Sequence, residues 1–236
     1  MSGKRTRSGL WHEQVPVKLT RNGSKAEIPV SVYTRPSTTA VESFWALGFG
    51  AGSMAVRNVI KAQQDYRLAG AAIILPYHKV PYEHMEGFTN EAIPQVLAGI
   101  SGSREVRLGG DSRGAGAAIR GAAEAPELIR AAGFLEPSFI GKMGDTPSQS
   151  VAQLALRLGV LNPPRLREPF HPGTIQTAYG IGKELVTLAV TQPANARKAV
   201  ELVVDPSVAE RTVSALGKIV DAGVPARVWY GEDDKV

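Results

Sequence analysis

Glu105-Val106-Arg107-Leu108-Gly109-Gly110-Asp111-Ser112-Arg113-Gly114-Ala115-Gly116-Ala117-Ala118 is the stretch on which the reading of this chain turns. A short strand-like run, 105–108, leads into Gly-x-Ser-x-Gly at 110–114, and an Ala/Gly-rich segment with helical character follows to about Glu124. Alone, the pentapeptide is a weak signal, because glycine occurs 25 times in 236 residues. Its position between an expected strand and an expected helix gives it meaning. A tight strand-to-helix turn strains the serine backbone and presents the hydroxyl. Gly110 and Gly114 remove side chains that would clash in such a turn. The small residues 115–118 keep the helix narrow where it packs on the sheet, and the helix N-terminus faces any developing negative charge. The plainer reading is a glycine-rich turn whose serine caps a helix.

Working outward, residues 15–19 and 26–33 are β-rich and flank Arg21-Asn22-Gly23-Ser24, a strong hairpin signal. Ser43-Phe44-Trp45-Ala46-Leu47 reads as an apolar strand ending in Gly48-Phe49-Gly50-Ala51-Gly52. Ser53 is placed to cap a helix reaching about Arg67. Residues 71–75 read as a buried strand closed by Pro76, residues 90–100 as a helix with Pro94 in its first turn, and 132–135 as a further strand. Residues 1–12 read as loose. Strands alternating with helices predict an α/β fold: a mostly parallel central sheet flanked by helices, with an N-terminal antiparallel hairpin. The pattern breaks over 140–215, where Pro163-Pro164, Pro169 and Pro172 join helical stretches, and this segment reads as a helical cap insertion. A strand returns at 225–230, followed by Gly231-Glu232-Asp233-Asp234. The expected organisation is therefore a core at 1–139, the cap at 140–215, and a helix end, strand and acidic loop at 216–236, leaving the core incomplete.

Composition narrows the function classes. Hydrophobic residues make up 43% and charged residues 21%, an ordinary globular balance. There is no cysteine, which excludes disulfides, thiolate metal sites and a cysteine nucleophile. A reducing cytoplasm fits that count and is the expected location. The start is basic, but no apolar run follows it, so no signal peptide is expected. The longest apolar run, 69–76, is too short to span a membrane. The net charge of +5 is scattered beyond the first residues, so neither a nucleic-acid nor a membrane partner is expected. No pair of the four histidines has helical ligand spacing, so no metal site is expected, and no cofactor either.

The glycines of 48–52 allow backbone N–H groups to approach an oxyanion; the candidate donors are those of Phe49 and of Arg113, the residue after the serine. A phosphate-binding loop is the rival, but the spacing is not Gly-x-Gly-x-x-Gly and no Gly-Lys-Ser/Thr is present. Hairpin, strand, glycine loop, strand, elbow serine, strand, helical segment and late strand with an acid together resemble the α/β-hydrolase fold family over nearly the whole chain. The resemblance implies Ser112 as nucleophile and Asp234, in Gly231-Glu232-Asp233-Asp234, as the acid, with Glu136 as the alternative acid. Leu47-Gly48 stands where many members have His-Gly. The family order also places a histidine after the acid. His12, His78, His84 and His171 all precede Asp234, so the expectation is a C-terminally truncated sequence with the histidine beyond Val236. The implied activity is a serine hydrolase acting on a small acyl compound, such as a carboxylic ester, through an acyl-enzyme. The alternatives are a catalytically inactive binding protein on the same fold and a nucleotide-binding α/β protein.

Overall fold

The computed structural model describes residues 3–36, 40–48, 51, 53–102, 104–137, 190 and 206–229. Its strands are β1 (Lys4–Arg5), β2 (Trp11–Arg21), β3 (Ser24–Thr34), β4 (Ser43–Ala46), β5 (Gly70–Ile74), β6 (Val106–Asp111), β7 (Ile129–Leu135) and β8 (Ala226–Trp229). The helices used below are α1 (Ser53–Asp65), α2 (Met85–Ser101), α3 (Ser112–Glu124) and α4 (Pro206–Asp221). The eight strands form one sheet in the order β1-β2-β3-β5-β4-β6-β7-β8. Pairing is antiparallel from β1 to β5 and parallel from β5 through β4, β6 and β7 to β8. This is the mixed sheet expected from the sequence.

Alternation assigns the faces. Val15, Val17 and Leu19 of β2, with Ile28, Val30 and Val32 of β3, turn into one core, joined by Phe44, Ile73, Leu108 and Phe134. Helices α2, α3 and α4 cover that face through Phe88, Ile93, Ile119 and Ile219. The opposite side chains, Trp45 and Ala72, meet Val56 and Ile60 of α1. Two-sided burial is why the central strands read as continuous apolar runs. The hairpin turn is Asn22-Gly23, both with positive φ (48° and 80°), as a two-residue turn between right-twisted strands requires.

Several elements differ from the sequence reading. Residues 1–12 are not loose throughout: β1 pairs with the start of β2, and Gly9, at φ 81°, lets the chain reverse between them. Helix α2 starts at Met85 rather than 90, so Pro94 lies inside it and not in its first turn. Proline there forfeits one backbone bond, but Met85, Phe88, Ala92, Ile93, Val96 and Leu97 all bury in the core, and that apolar burial outweighs the local cost. Strand β6 continues past 108 to Asp111, because Gly109 and Gly110 pair with Gly133 and Phe134 of β7. Most of the expected cap, 140–215, lies outside the described residues. Helix α4 runs across the expected boundary at 215, and its Thr212, Ala215 and Ile219 are buried.

Phe134 is fully buried on a central strand. Phe134→Ala should lower unfolding free energy by about 3–5 kcal/mol through lost burial plus the cavity left behind. Urea titration, with an unchanged slope and a lower midpoint, checks this.

Candidate functional site

The strand order reverses at β4. From β4 the chain crosses by α1 to β5 on one side, then by α2 to β6 on the other. In open α/β sheets the crevice beyond the strand C-termini at such a reversal is where ligands bind. Here it is bounded by Leu47-Gly48 after β4 and by Asp111-Ser112 after β6.

Ser112 begins α3 with φ 50°, one of only four described non-glycine residues with positive φ. That left-handed conformation costs roughly 1–3 kcal/mol, which the surrounding packing must hold in place. The packing is visible at the two glycines. A Cβ on Gly114 would press on the Ala46 carbonyl and lie 2.7 Å from the Leu47 carbonyl carbon. A Cβ on Gly110 would lie 2.8 Å from the Ala115 nitrogen. Helix α3 therefore sits directly on the ends of β4 and β6, with Ala115, Ala117 and Ala118 fully buried beneath it. The strand-to-helix turn predicted at 110–114 is present.

Asp111, which the sequence reading passed over, links the two sides of the crevice. Trp45 Nε1–H donates to Asp111 Oδ1 at 2.8 Å, and the Gly48 N–H donates to Oδ2 at 3.1 Å. One residue thus ties the loop after β4 to the turn holding Ser112. A carboxylate suits this position because both oxygens face donors; a side-chain amide has only one acceptor atom. Burial pushes the Asp111 proton affinity above the ordinary carboxylate range, opposed by the Trp45 and Gly48 hydrogen bonds. The signal available in the sequence was an aspartate inside the elbow together with a tryptophan on the adjacent strand. Their pairing across β4 and β6, Trp45 opposite Gly109, appears only in the sheet register.

The remaining expected site residues divide clearly. Arg113 is buried, and its guanidinium lies 3.7 Å from the Tyr77 ring centroid. Phe49 and Asp234 lie outside the described residues. Glu136 ends β7 next to the elbow, since Leu135 pairs with Asp111; it is exposed, has φ 44°, and its N–H bonds the Trp229 carbonyl at 2.7 Å. His12 stacks on Tyr33 at 4.6 Å and pairs with Ser31, which commits it to the N-terminal hairpin. His84 is buried and hydrogen-bonds Ser24 at 3.1 Å. His78 follows β5 in a short helical turn, half-buried, and His171 lies outside the described residues. A small cavity of about 20 Å³, enough for one water, lies beside the elbow among Leu47, Gly48, Leu75, Tyr77 and Arg113. Among the described residues there is no cluster able to hold a metal ion, and no helix long and apolar enough to cross a membrane.

The chain has the α/β-hydrolase fold. A haloalkane dehalogenase loop variant from Bradyrhizobium elkanii aligns with TM-score 0.56 and 14% identity, over 94% of this chain and 80% of its own. A lipase-like protein from Acinetobacter baumannii, described as a putative lipase, aligns with TM-score 0.55 and 16% identity, over 97% and 76%. An esterase from a Rhodococcus species aligns with TM-score 0.51 and 15% identity, over 93% and 90%. No family model matches the chain, and no curated protein matches it in sequence. At these identities the likeness is one of fold.

Gly114→Ala should cost about 1–3 kcal/mol, because the added methyl meets backbone that cannot move aside; a fall in urea midpoint measures it. The raised proton affinity of Asp111 carries a sign. The folded chain holds this proton more tightly than the unfolded chain, so its contribution is fully present below the ordinary carboxylate range. It is lost as pH rises through the raised value. Asp111→Asn should therefore flatten the decline in unfolding free energy just above that range, whereas identical slopes in variant and parent would contradict the shift.

Proposed function

We propose that the protein is a serine hydrolase in which Ser112 is the nucleophile. The observation that carries this reading is Ser112 in left-handed backbone at the sheet's reversal point, held between two glycines that have no room for a side chain. A glycine-rich turn with a capping serine needs neither that conformation nor that position. The esterase, lipase-like and dehalogenase neighbours lend support at the level of fold.

In this reading Ser112 Oγ attacks an acyl carbonyl and gives its proton to a histidine. The backbone N–H groups of Arg113 and Phe49 hold the oxyanion. The tetrahedral adduct expels the alcohol, which takes the proton from the histidine, and water then hydrolyses the acyl-enzyme by the same steps in reverse. Small carboxylic esters are the proposed substrates. The acid that orients this histidine is Asp234. Strand β8 runs parallel to β7, pairs Trp229 with Leu135 at the edge of the sheet where the elbow lies, and ends five residues before Asp234 in the chain. Glu136, already at the end of β7, is the alternative acid. Asp111 is a positioning group: by holding the Gly48 N–H it fixes the chain one residue before Phe49.

A fluorophosphonate probe tests the assignment, because it phosphonylates only an activated serine. The protein should label, and Ser112→Ala should abolish labelling while the fold, followed by circular dichroism, persists. Labelling retained in that variant would remove Ser112 from the role, and a parent protein that never labels would favour a binding protein on this fold.

A further inference from the structure

Trp45 lies on β4 opposite Gly109 of β6. Gly109 has no room for a side chain, because a Cβ there would press on Cε3 and Cζ3 of the indole. The six-membered part of the indole therefore lies across β6 at that position. Strand side chains alternate between faces, so Gly109 and Asp111 share this face, one repeat apart. The indole spans that repeat: its Nε1–H donates to Asp111 Oδ1 at 2.8 Å. Helix α1 packs behind it, since Trp45 joins Leu47, Val56, Ile60 and Ala72 in one apolar cluster. An indole held in this way has a single donor, and it is aimed at one carboxylate oxygen.

The other oxygen of Asp111 accepts the Gly48 N–H at 3.1 Å. Gly48 in turn stands against the elbow serine: a Cβ on it would lie 3.1 Å from Ser112 Cβ. A chain of contacts thus runs from the α1 layer through Trp45 and Asp111 to the residue beside Ser112. The carboxylate serves here as an acceptor on both oxygens. A protonated carboxyl would set an O–H among these N–H donors and weaken one of the two bonds. Burial raises the proton affinity of Asp111, and the Trp45 hydrogen bond is the largest of the effects that lower it. Without the indole N–H, the carboxylate loses the shorter of these two bonds, and its hold on Gly48 weakens.

We infer that Trp45 is a positioning residue for the active site: acting through Asp111, it holds Gly48 against Ser112 and so sets the start of the loop that meets the oxyanion. This rests on the reading of Ser112 as the nucleophile. The Gly48 N–H is committed to Asp111 rather than to the oxyanion. The indole N–H acts at one remove from the reacting atoms. Its loss is felt in the transition state, where charge collects on the oxyanion, more than in the binding of substrate.

Trp45→Phe keeps an aromatic ring over Gly109 and removes the N–H. With nitrophenyl acetate as substrate, kcat should fall about tenfold and KM should change by less than about twofold, the loss expected for one charge-assisted hydrogen bond felt in the transition state. Asp111→Ala should lower kcat at least as far, and adding Trp45→Phe to it should cause no further loss, because the link is already cut. Additive losses in the double variant, or a rise in KM alone, would overturn the role, since simple packing behaves that way. Amide exchange followed by NMR needs no turnover. The Gly48 N–H should exchange about tenfold faster in Trp45→Phe, while amides of the β2–β3 hairpin keep their rates. Unchanged exchange at Gly48 would also overturn the role. A parent that hydrolyses no ester would count against Ser112 instead, and the exchange measurement then decides the role of Trp45 by itself. Should Trp45→Phe not fold, 3-benzothienylalanine at position 45 keeps the ring system, removes only the N–H, and is held to the same outcomes.

Discussion

Helix α3 approaches the ends of β4 and β6 so closely that no side chain fits at Gly110 or Gly114. The rest of the site depends on this contact. It forces the chain to turn within one residue from strand to helix, and the residue that absorbs the turn is Ser112 at φ 50°. The strain is supported by the fully buried alanines of α3 packed over the sheet and by the apolar face it shares with α2 and α4. A larger residue anywhere along that contact would lift the helix and relax the turn that exposes the hydroxyl.

The same approach explains Asp111. With α3 pressed onto the sheet, the loop after β4 lies against the elbow, and a Cβ on Gly48 would sit 2.8 Å from Asp111 Oδ2. A carboxylate there accepts the Gly48 N–H and the Trp45 indole N–H together, joining two strands that are neighbours in space but more than sixty residues apart in the chain. It bears a cost in desolvation, seen in its raised proton affinity.

Much of the fold was legible because its signals are local. The Asn22-Gly23 turn, the apolar runs at 43–47 and 71–75, and the glycine spacing at 110–114 each reflect constraints acting within a few residues. Misreadings arose where distant packing outweighed local preference. Pro94 argued for a helix start, yet the helix extends upstream because Met85 and Phe88 bury against the sheet. The basic first residues looked loose, yet Lys4 and Arg5 find hydrogen-bonding partners on β2. Glycines 109 and 110 read as turn, yet they continue β6 because β7 supplies a ladder.

By itself the sequence determined the alternation of strands and helices, the hairpin, and the serine between two glycines, since periodicity and backbone permission are properties of neighbouring residues. Only the tertiary structure decided which chemistry-bearing groups meet. It set Glu136 beside the elbow, joined Asp111 to Trp45 and Gly48, committed His12 and His84 to the hairpin, and bridged Glu86 to Arg21 and Arg211. Those meetings follow from strand order and register, which are fixed by burying one sheet between two helical layers and leave no trace in the spacing of residues along the chain.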